Sequence, residues 1–231
     1  MLTDEQVRQI SEFTQQHLME TAVVSDQPWV KKFSRAAEHR WYHTLNVLQN
    51  AEKIIAGDKI PIDVADAARA SAILHDVSIF ECDHTVHGRV GAETAEGYLT
   101  EQKYAPDFVT RVVQAIGEHG VDFDDLSPEE MGKQFSPEGK ILIEADILDK
   151  LGVAAVSNAM LMLGKQERLS FECHALLSSG QAMQRATYFK DYLWSQTGKR
   201  LADERFSFFL KFLEQLLDEV VAGPVAEDIQ G

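Results

Sequence analysis

Apolar residues recur at the three-to-four-residue spacing of helices along most of this chain, and no alternating strand pattern competes with that spacing. Thr3, with Gln6 three positions later, predicts a capping box at the start of the first helix. Further helices are predicted over about 34–56, 61–76, 87–101, 105–119, 138–163, 175–197 and 200–221. The spacing therefore predicts an all-α fold.

Two stretches fall outside these helices. Residues 120–139 are rich in prolines and acidic residues, which predicts a long surface loop. Residues 223–231 are predicted to form a frayed tail. A chain of 231 residues with 45% hydrophobic content suits one substantial core. We expect a single helical bundle over residues 1–222, with a motif core at about 35–160 and C-terminal helices at 175–221.

Charge and composition exclude several classes of partner. The net charge of −15 opposes a nucleic-acid polymer, which needs a basic footprint. No stretch approaches the roughly 20 apolar residues of a membrane span, and the polar start "MLTDEQVRQI" is unlike a signal peptide, so we expect a cytoplasmic protein without a membrane partner. Cys82 and Cys173 form no CxxC pair, which argues against a disulfide framework or a thiolate zinc site. A small anionic substrate fits if a bound cation reverses the local field.

The stretch "SAILHDVS" places His75 and Asp76 at the end of an alanine-rich apolar helix. Alanines on nearly every side predict a helix that is surrounded by others, and an ionised aspartate there is costly unless it is paired, hydrogen-bonded or bound to a metal. Adjacent helical residues point about 100° apart, so both can reach one ion beside the helix. The alternative is a helix-end pair, with His75 near the last carbonyls and Asp76 capping the next turn.

Other histidines and acids fall at helix ends or on apolar faces, in the motifs "HTLNVL", "ILHD", "HGRVGAETAEGYL", "AIGEHG" and "EADILDKLG". Their order along the chain is His43, His75, Asp76, His87, His119 and Asp146. This series resembles that of the HD-domain superfamily of metal-dependent phosphohydrolases, and in particular of the small bacterial stand-alone HD hydrolases. The resemblance covers about residues 35–221.

The resemblance implies a metal core made of His43, His75, Asp76 and Asp146. It implies that His87 and His119 either bind a second ion or face the substrate, and the sequence leaves both readings open. Mixed imidazole and carboxylate ligands independently suit borderline divalent metals. We therefore expect a divalent ion from among Mn, Fe, Co, Ni, Zn and Mg.

The family activity implies hydrolysis of a phosphoester or phosphoanhydride in a small phosphorylated substrate, with nucleotides as the leading class. Asp76 would bind the ion and aim a water molecule, and His119 or His87 would protonate the leaving oxygen. Candidates for phosphate contacts are Arg40, Arg89 and Lys150. Lys150 also has the spacing of an ordinary helical ion pair with Asp146.

Two positions depart from the family pattern, because relatives often carry a basic residue where this chain has Asn46 and Ile147. Two alternatives to a hydrolase stay open: a diiron oxygenase of the myo-inositol oxygenase type, which uses the same scaffold, and a helical regulatory module without turnover. Apolar positions between residues 206 and 220 predict either packing on the body or a homodimer seam.

Overall fold

The computed structural model describes residues 1–33, 35–121, 126–165 and 181–219. Its helices are α1 (Asp4–Val24), α2 (Pro28–Lys31), α3 (Ala36–Asp58), α4 (Ile62–Leu74), α5 (His87–Glu101), α6 (Pro106–His119), α7 (Pro128–Gln134), α8 (Pro137–Asp149), α9 (Gly152–Lys165), α10 (Gln181–Lys190) and α11 (Gln196–Glu219). A 3-10 turn (His84–Val86) precedes α5. These ranges contain no strand, which confirms the all-α fold. None of their helices has both the length and the apolar character needed to cross a membrane.

Several predicted boundaries change in the structure. The capping box of Thr3 and Gln6 is confirmed. The loop predicted over 120–139 is wrong in its middle, since α7 begins there with a second capping box, Ser127 with Glu130. The helix predicted over 138–163 is two helices, because Gly152 has φ +74° between them, a conformation that glycine adopts readily. The predicted tail 223–231 lies outside the described residues.

The chain divides into two units. The first comprises Met1–Asp149 with Tyr192–Gly198, and the second comprises Lys150–Asp191 with Lys199–Gly231. In the second unit Val156, Phe209 and Leu213 form a small buried cluster, so two of the apolar positions predicted between 206 and 220 serve packing there. The predicted extent of a single bundle and the homodimer both stay predictions.

Helix α4 lies at the centre of the first unit, where it contacts α1, α3, α6 and α8. Its alanines are buried on every side of the helix, as the sequence predicted, and their small side chains let the neighbouring helices approach closely. The buried alanines are Ala65, Ala67, Ala68, Ala70 and Ala72. Because α4 ends inside this packing, the two residues that follow it, His75 and Asp76, are buried as well.

The segment after α1 holds the turn that follows this doublet. The Ser25 hydroxyl donates to the Phe80 carbonyl at 2.7 Å. The Gln27 side-chain amide donates to the carbonyls of Ile79 and Cys82 at 2.9 and 2.6 Å. Ser25 and Gln27, which precede α3, therefore satisfy three backbone carbonyls in the turn that follows His75 and Asp76.

We expect Gln27→Ala to lower the free energy of unfolding by about 1–3 kcal/mol, because two carbonyls of a part-buried turn lose their donor. A urea unfolding series measures this change. Gln16→Ala is the matched control: Gln16 lies on α1, its amide contacts the exposed Glu20, and its loss should shift stability by no more than about 0.5 kcal/mol. Equal effects of the two substitutions would contradict the role assigned to Gln27.

Candidate metal centre

Five elements of the first unit bring the predicted site residues together. His43 lies on α3, His75 and Asp76 follow α4, and Asp146 lies on α8. His87 is the first residue of α5 and His119 is the last residue of α6. The ligand-type atoms of His43, His75 and Asp146 all lie within 4.8 Å of one another, as do those of His75, Asp76 and His119. This His and Asp cluster has the donors to hold a metal ion.

The inner part of the cluster is a close contact between two imidazoles. His43 Nε2 lies 3.2 Å from His75 Nε2 and 3.4 Å from Asp146 Oδ1. His75 Nε2 lies 3.3 Å from Asp76 Oδ2. Two nitrogens and two carboxylate oxygens from three parts of the chain thus face one small volume.

The hydrogen bonds of the other ring nitrogens fix which atoms face that volume. His75 Nδ1 lies 2.9 Å from the Ala72 carbonyl, and His43 Nδ1 lies 2.8 Å from Asp149 Oδ2. A carbonyl and an ionised carboxylate only accept hydrogen bonds, so each Nδ1 donates, and in the neutral form of each ring Nε2 presents a lone pair. Two lone pairs 3.2 Å apart repel unless a proton or a cation lies between them. The residues therefore fit a cation.

The contact between His75 and Ala72 is the helix-end contact that the alternative reading of the doublet predicted. His75 is the C-cap residue of α4, and its Nδ1 bonds a carbonyl of the last turn. Its Nε2 nevertheless faces His43. Asp76 bonds Arg40 from another helix. His75 Nδ1 therefore bonds the end of α4, whereas His75 Nε2 and the Asp76 carboxylate face the cluster.

The outer part of the cluster contains His87 and His119, whose ring centroids lie 5.1 Å apart. His87 donates from Nδ1 to the His84 carbonyl, and its Nε2 lies 3.6 Å from Asp76 Oδ1. His119 Nε2 lies 3.6 Å from Asp146 Oδ2. Its Nδ1 is buried and has no hydrogen-bond partner among the described residues. Asp76 and Asp146 thus each lie between inner and outer imidazoles.

Arg40 controls the charge of the doublet's aspartate. Its Nη1 donates to Asp76 Oδ2 at 2.6 Å. Burial alone would raise the pKa of Asp76, but the charges of Arg40 and His75 outweigh burial and hold that pKa well below its ordinary value. Asp76 is therefore an ionised carboxylate inside the core. The sequence predicted Arg40 as a phosphate contact, and the structure places its guanidinium on the carboxylate of Asp76.

The pKa values of two buried histidines next to these carboxylates shift in opposite directions. Burial opposes protonation of His75, but the charges of Asp76 and Asp146 raise its pKa above the ordinary value. For His119 burial prevails and lowers the pKa to about 4, so its ring is neutral near pH 7. A neutral ring suits a ligand or a proton acceptor better than a proton donor. The predicted role of His119 as the acid stays a prediction.

We expect metal affinity to fall as the pH falls through the raised pKa of His75. Below that pKa the ring holds a proton on the nitrogen that a metal ion needs, so each ion bound must displace a proton and affinity drops by about tenfold per pH unit. Calorimetric titration with Mn²⁺ in two buffers of different ionisation enthalpy measures the protons released. Mn²⁺ binding that is equally tight above and below the pKa of His75, without proton release, would contradict the expectation.

Arg89 and Lys150 were the other predicted phosphate contacts. Arg89 is exposed on α5 and pairs with Glu93 at 2.7 Å. Lys150 belongs to the second unit, where its Nζ lies 5.8 Å from the ring centroid of Phe189. Ile147 is fully buried, so this position packs in the core where relatives often carry a basic residue. Phosphate contacts by Arg89 and Lys150 stay predictions.

Asp149 is the residue of this centre that the sequence reasoning missed. Its side chain is buried and bonds His43 Nδ1. The available signal was its position three residues after Asp146 on the same helix, where side chains share a face.

Comparisons with known proteins agree with this geometry. The family model described as HD domain matches residues 40–151, a range that includes every histidine and aspartate of the cluster. YpgQ of Bacillus subtilis, an uncharacterized protein, is 24% identical over 200 residues, which cover 83% of this chain and 90% of YpgQ.

Solved structures share the fold along most of the chain. An HD-superfamily hydrolase from Bacillus thuringiensis has a TM-score of 0.67 at 19% identity, covering 93% of this chain and 96% of that one. A predicted HD superfamily hydrolase from an uncultured Thermotogales bacterium has a TM-score of 0.58 at 23% identity, covering 92% and 91%. The structure of YpgQ in complex with ADP has a TM-score of 0.58 at 17% identity, covering 79% and 90%. With the motif series and the all-α fold around it, the segment 40–151 that the family model matches is an HD domain.

Proposed function

We propose that this chain is a metal-dependent phosphohydrolase whose substrate is a small phosphorylated molecule, namely a nucleotide. The observation that carries the proposal is the pair of facing Nε2 atoms of His43 and His75, 3.2 Å apart and bordered by the carboxylates of Asp76 and Asp146. The fold of HD-superfamily hydrolases supports it.

His43, His75, Asp76 and Asp146 would hold the ion. When bound, a divalent ion there supplies Lewis acidity, which lowers the pKa of water and offsets charge on phosphoryl oxygens. Imidazole with carboxylate is a donor set that suits Mn, Fe, Co, Ni or Zn. The elemental analysis described below decides which of these ions, or Mg, the site binds.

The residues around the ion have separate tasks in this proposal. Arg40 bonds Oδ2 of Asp76, and Oδ1 faces the side where His87 lies, so Oδ1 is the atom that orients a water molecule. His87 keeps its Nδ1 proton on the His84 carbonyl, which turns Nε2 towards the site as the atom that accepts and returns a proton. Arg40 also neutralises part of the negative charge where a phosphate would approach.

The nucleotide assignment is supported by the ADP complex of YpgQ, a structure with the same fold. A chain with a net charge of −15 needs local cations to bind a polyphosphate. The bound ion and Arg40 would supply them, with Arg89 and Lys150 as further proposed contacts.

Elemental analysis and a phosphate-release assay test the proposal together. The purified protein, reconstituted with Mn²⁺, Co²⁺ or Ni²⁺, is expected to hold about one ion per chain and to release phosphate from a panel of nucleoside mono-, di- and triphosphates. Asp76→Ala should abolish both properties. Asp63→Ala, which removes an exposed acid that pairs with Arg111, should change neither. No metal uptake, or equal turnover by Asp76→Ala, would overturn the proposal.

A diiron oxygenase is the second candidate, and one observation favours it. His87 and His119 add two imidazoles on the far side of Asp76 and Asp146, so the cluster contains two overlapping donor sets. Two irons per chain with oxygen consumption, and no phosphate release in any metal, would favour this function over hydrolysis.

A further inference from the structure

We propose that Asp149 is a positioning residue of the metal centre, whose carboxylate fixes the tautomer and orientation of His43. The inference rests on the proposed metal site, since it concerns the orientation of one ligand of that site. Asp149 is the last residue of α8 and is 4% exposed. Its Oδ2 lies 2.8 Å from His43 Nδ1.

Helix α8 contacts both nitrogens of the same ring. Asp149 bonds Nδ1, while Oδ1 of Asp146 lies 3.4 Å from Nε2. Residues three apart share one face of a helix, so the two carboxylates lie on either side of the imidazole edge. The ring is held between them, and a rotation that improved one contact would break the other.

A second contact fixes the register of α3 against α8. The side-chain amide of Asn50, two turns after His43, donates to the Ala145 carbonyl at 3.0 Å. Ala145 lies one turn before Asp149, so the two helices run antiparallel through these paired contacts. The backbone of α8 is therefore anchored beside Asp146, and Asp149 transmits that position to the ring of His43.

The charge of Asp149 distinguishes His43 from the other inner ligand. His75 donates to a neutral backbone carbonyl, whereas His43 donates to a carboxylate. A carboxylate that accepts the Nδ1 proton holds the ring in the tautomer whose Nε2 lone pair faces the site. Asp149 therefore gives His43 a charged anchor, where His75 has a neutral one.

Calorimetric titration with Mn²⁺ and the visible absorption of the Co²⁺ form test this inference on the full chain. Asp149→Ala removes the acceptor, and we expect metal affinity to fall by about 10–100-fold. Asp149→Asn keeps an oxygen that accepts the Nδ1 proton but removes the charge, so its affinity should lie between those of Asp149→Ala and the wild type. The Co²⁺ absorption bands should shift in both variants, because the ligand field of His43 changes.

Glu144→Gln is the matched control. Glu144 lies on the same helix, is 1% exposed, and accepts hydrogen bonds from the backbone of Trp194 and Ser195 at 2.7 Å. Its loss tests whether any buried carboxylate of α8 supports metal binding through stability alone. We expect its metal affinity and Co²⁺ spectrum to match the wild type even if its unfolding midpoint falls.

The outcomes separate this inference from the function on which it rests. A wild-type protein that takes up no metal overturns the proposed function and the inference with it. A wild type that binds Mn²⁺ and an Asp149→Ala variant that binds it equally tightly overturn the inference alone, as does equal weakening by Glu144→Gln. If Asp149→Ala fails to fold, Asp149→Asn decides: wild-type affinity and an unshifted Co²⁺ spectrum overturn the role of Asp149.

Discussion

Asp146→Ala is expected to remove the bound ion and the hydrolytic activity together while the helices stay folded. Its two carboxylate oxygens lie 3.4 Å from His43 Nε2 and 3.6 Å from His119 Nε2, so the substitution removes the anion shared by the inner and outer imidazoles. Loss of a residue that only supports a ligand costs about 10–100-fold in affinity, and loss of this proposed ligand should exceed that range. Elemental analysis, phosphate release and far-ultraviolet circular dichroism measure the three expectations.

His17→Ala is the control for this prediction. His17 lies on α1, where its Nε2 contacts Glu81 at 2.8 Å, and it takes no part in the cluster. Metal content and turnover should match the wild type. If Asp146→Ala retained full activity, or if His17→Ala lost metal to the same extent, the ligand assignment would be wrong.

The sequence predicted the all-α fold because its apolar spacing reports directly on which residues face a core. Helix α4 shows this most clearly, since an alanine on every side can be buried only if other helices surround it. Boundaries were less predictable where proline and glycine have two uses. A proline can end one helix or suit the first turn of the next. Pro128 has the second use, so a stretch that was predicted as loop contains α7.

The candidate site was predictable to the level of residue identity but not of atoms. His75 and Asp76 stood out because such residues are costly in an apolar helix without partners, and the resemblance to the HD-domain superfamily added His43 and Asp146. Which nitrogen of each imidazole faces the cluster depends on acceptors from other parts of the chain, Asp149 for one ring and Ala72 for the other. Those hydrogen bonds form only when the helices pack together, so they could not be predicted from the spacing of residues along one helix.

Arg40 illustrates the same limit. A basic residue near a predicted metal ligand suggested a phosphate contact, since charge is all that the sequence displays. In the structure its Nη1 bonds Asp76 Oδ2 and its Nε is buried without a hydrogen-bond partner among the described residues. This contact lowers the pKa of Asp76 against the effect of burial and so favours its ionised form within the core, an effect that depends on packing rather than on charge alone.

Gly88→Ala is expected to lower turnover strongly through the position of the outer histidines. Gly88 follows His87 at the start of α5, and Gly120 follows His119 at the end of α6. A Cβ on Gly88 would lie 2.4 Å from Gly120 Cα and 2.8 Å from its nitrogen. Both atoms belong to backbone, which cannot rotate away as a side chain can. The helix ends must therefore separate, and His87 and His119 move apart with them.

This separation predicts an uneven loss. We expect a destabilisation of about 1–3 kcal/mol from overpacking, with turnover falling further than metal content, since the inner histidines His43 and His75, the proposed ligands, lie on other elements. Gly97→Ala on the same helix is the control: no atom lies within 4 Å of its Cβ, and the exchange should raise stability by up to about 1 kcal/mol with normal turnover. Normal turnover in Gly88→Ala would mean that His87 and His119 do not act in the reaction from the positions seen here. Metal loss equal to the loss of turnover would instead make the outer histidines part of the ion's own coordination.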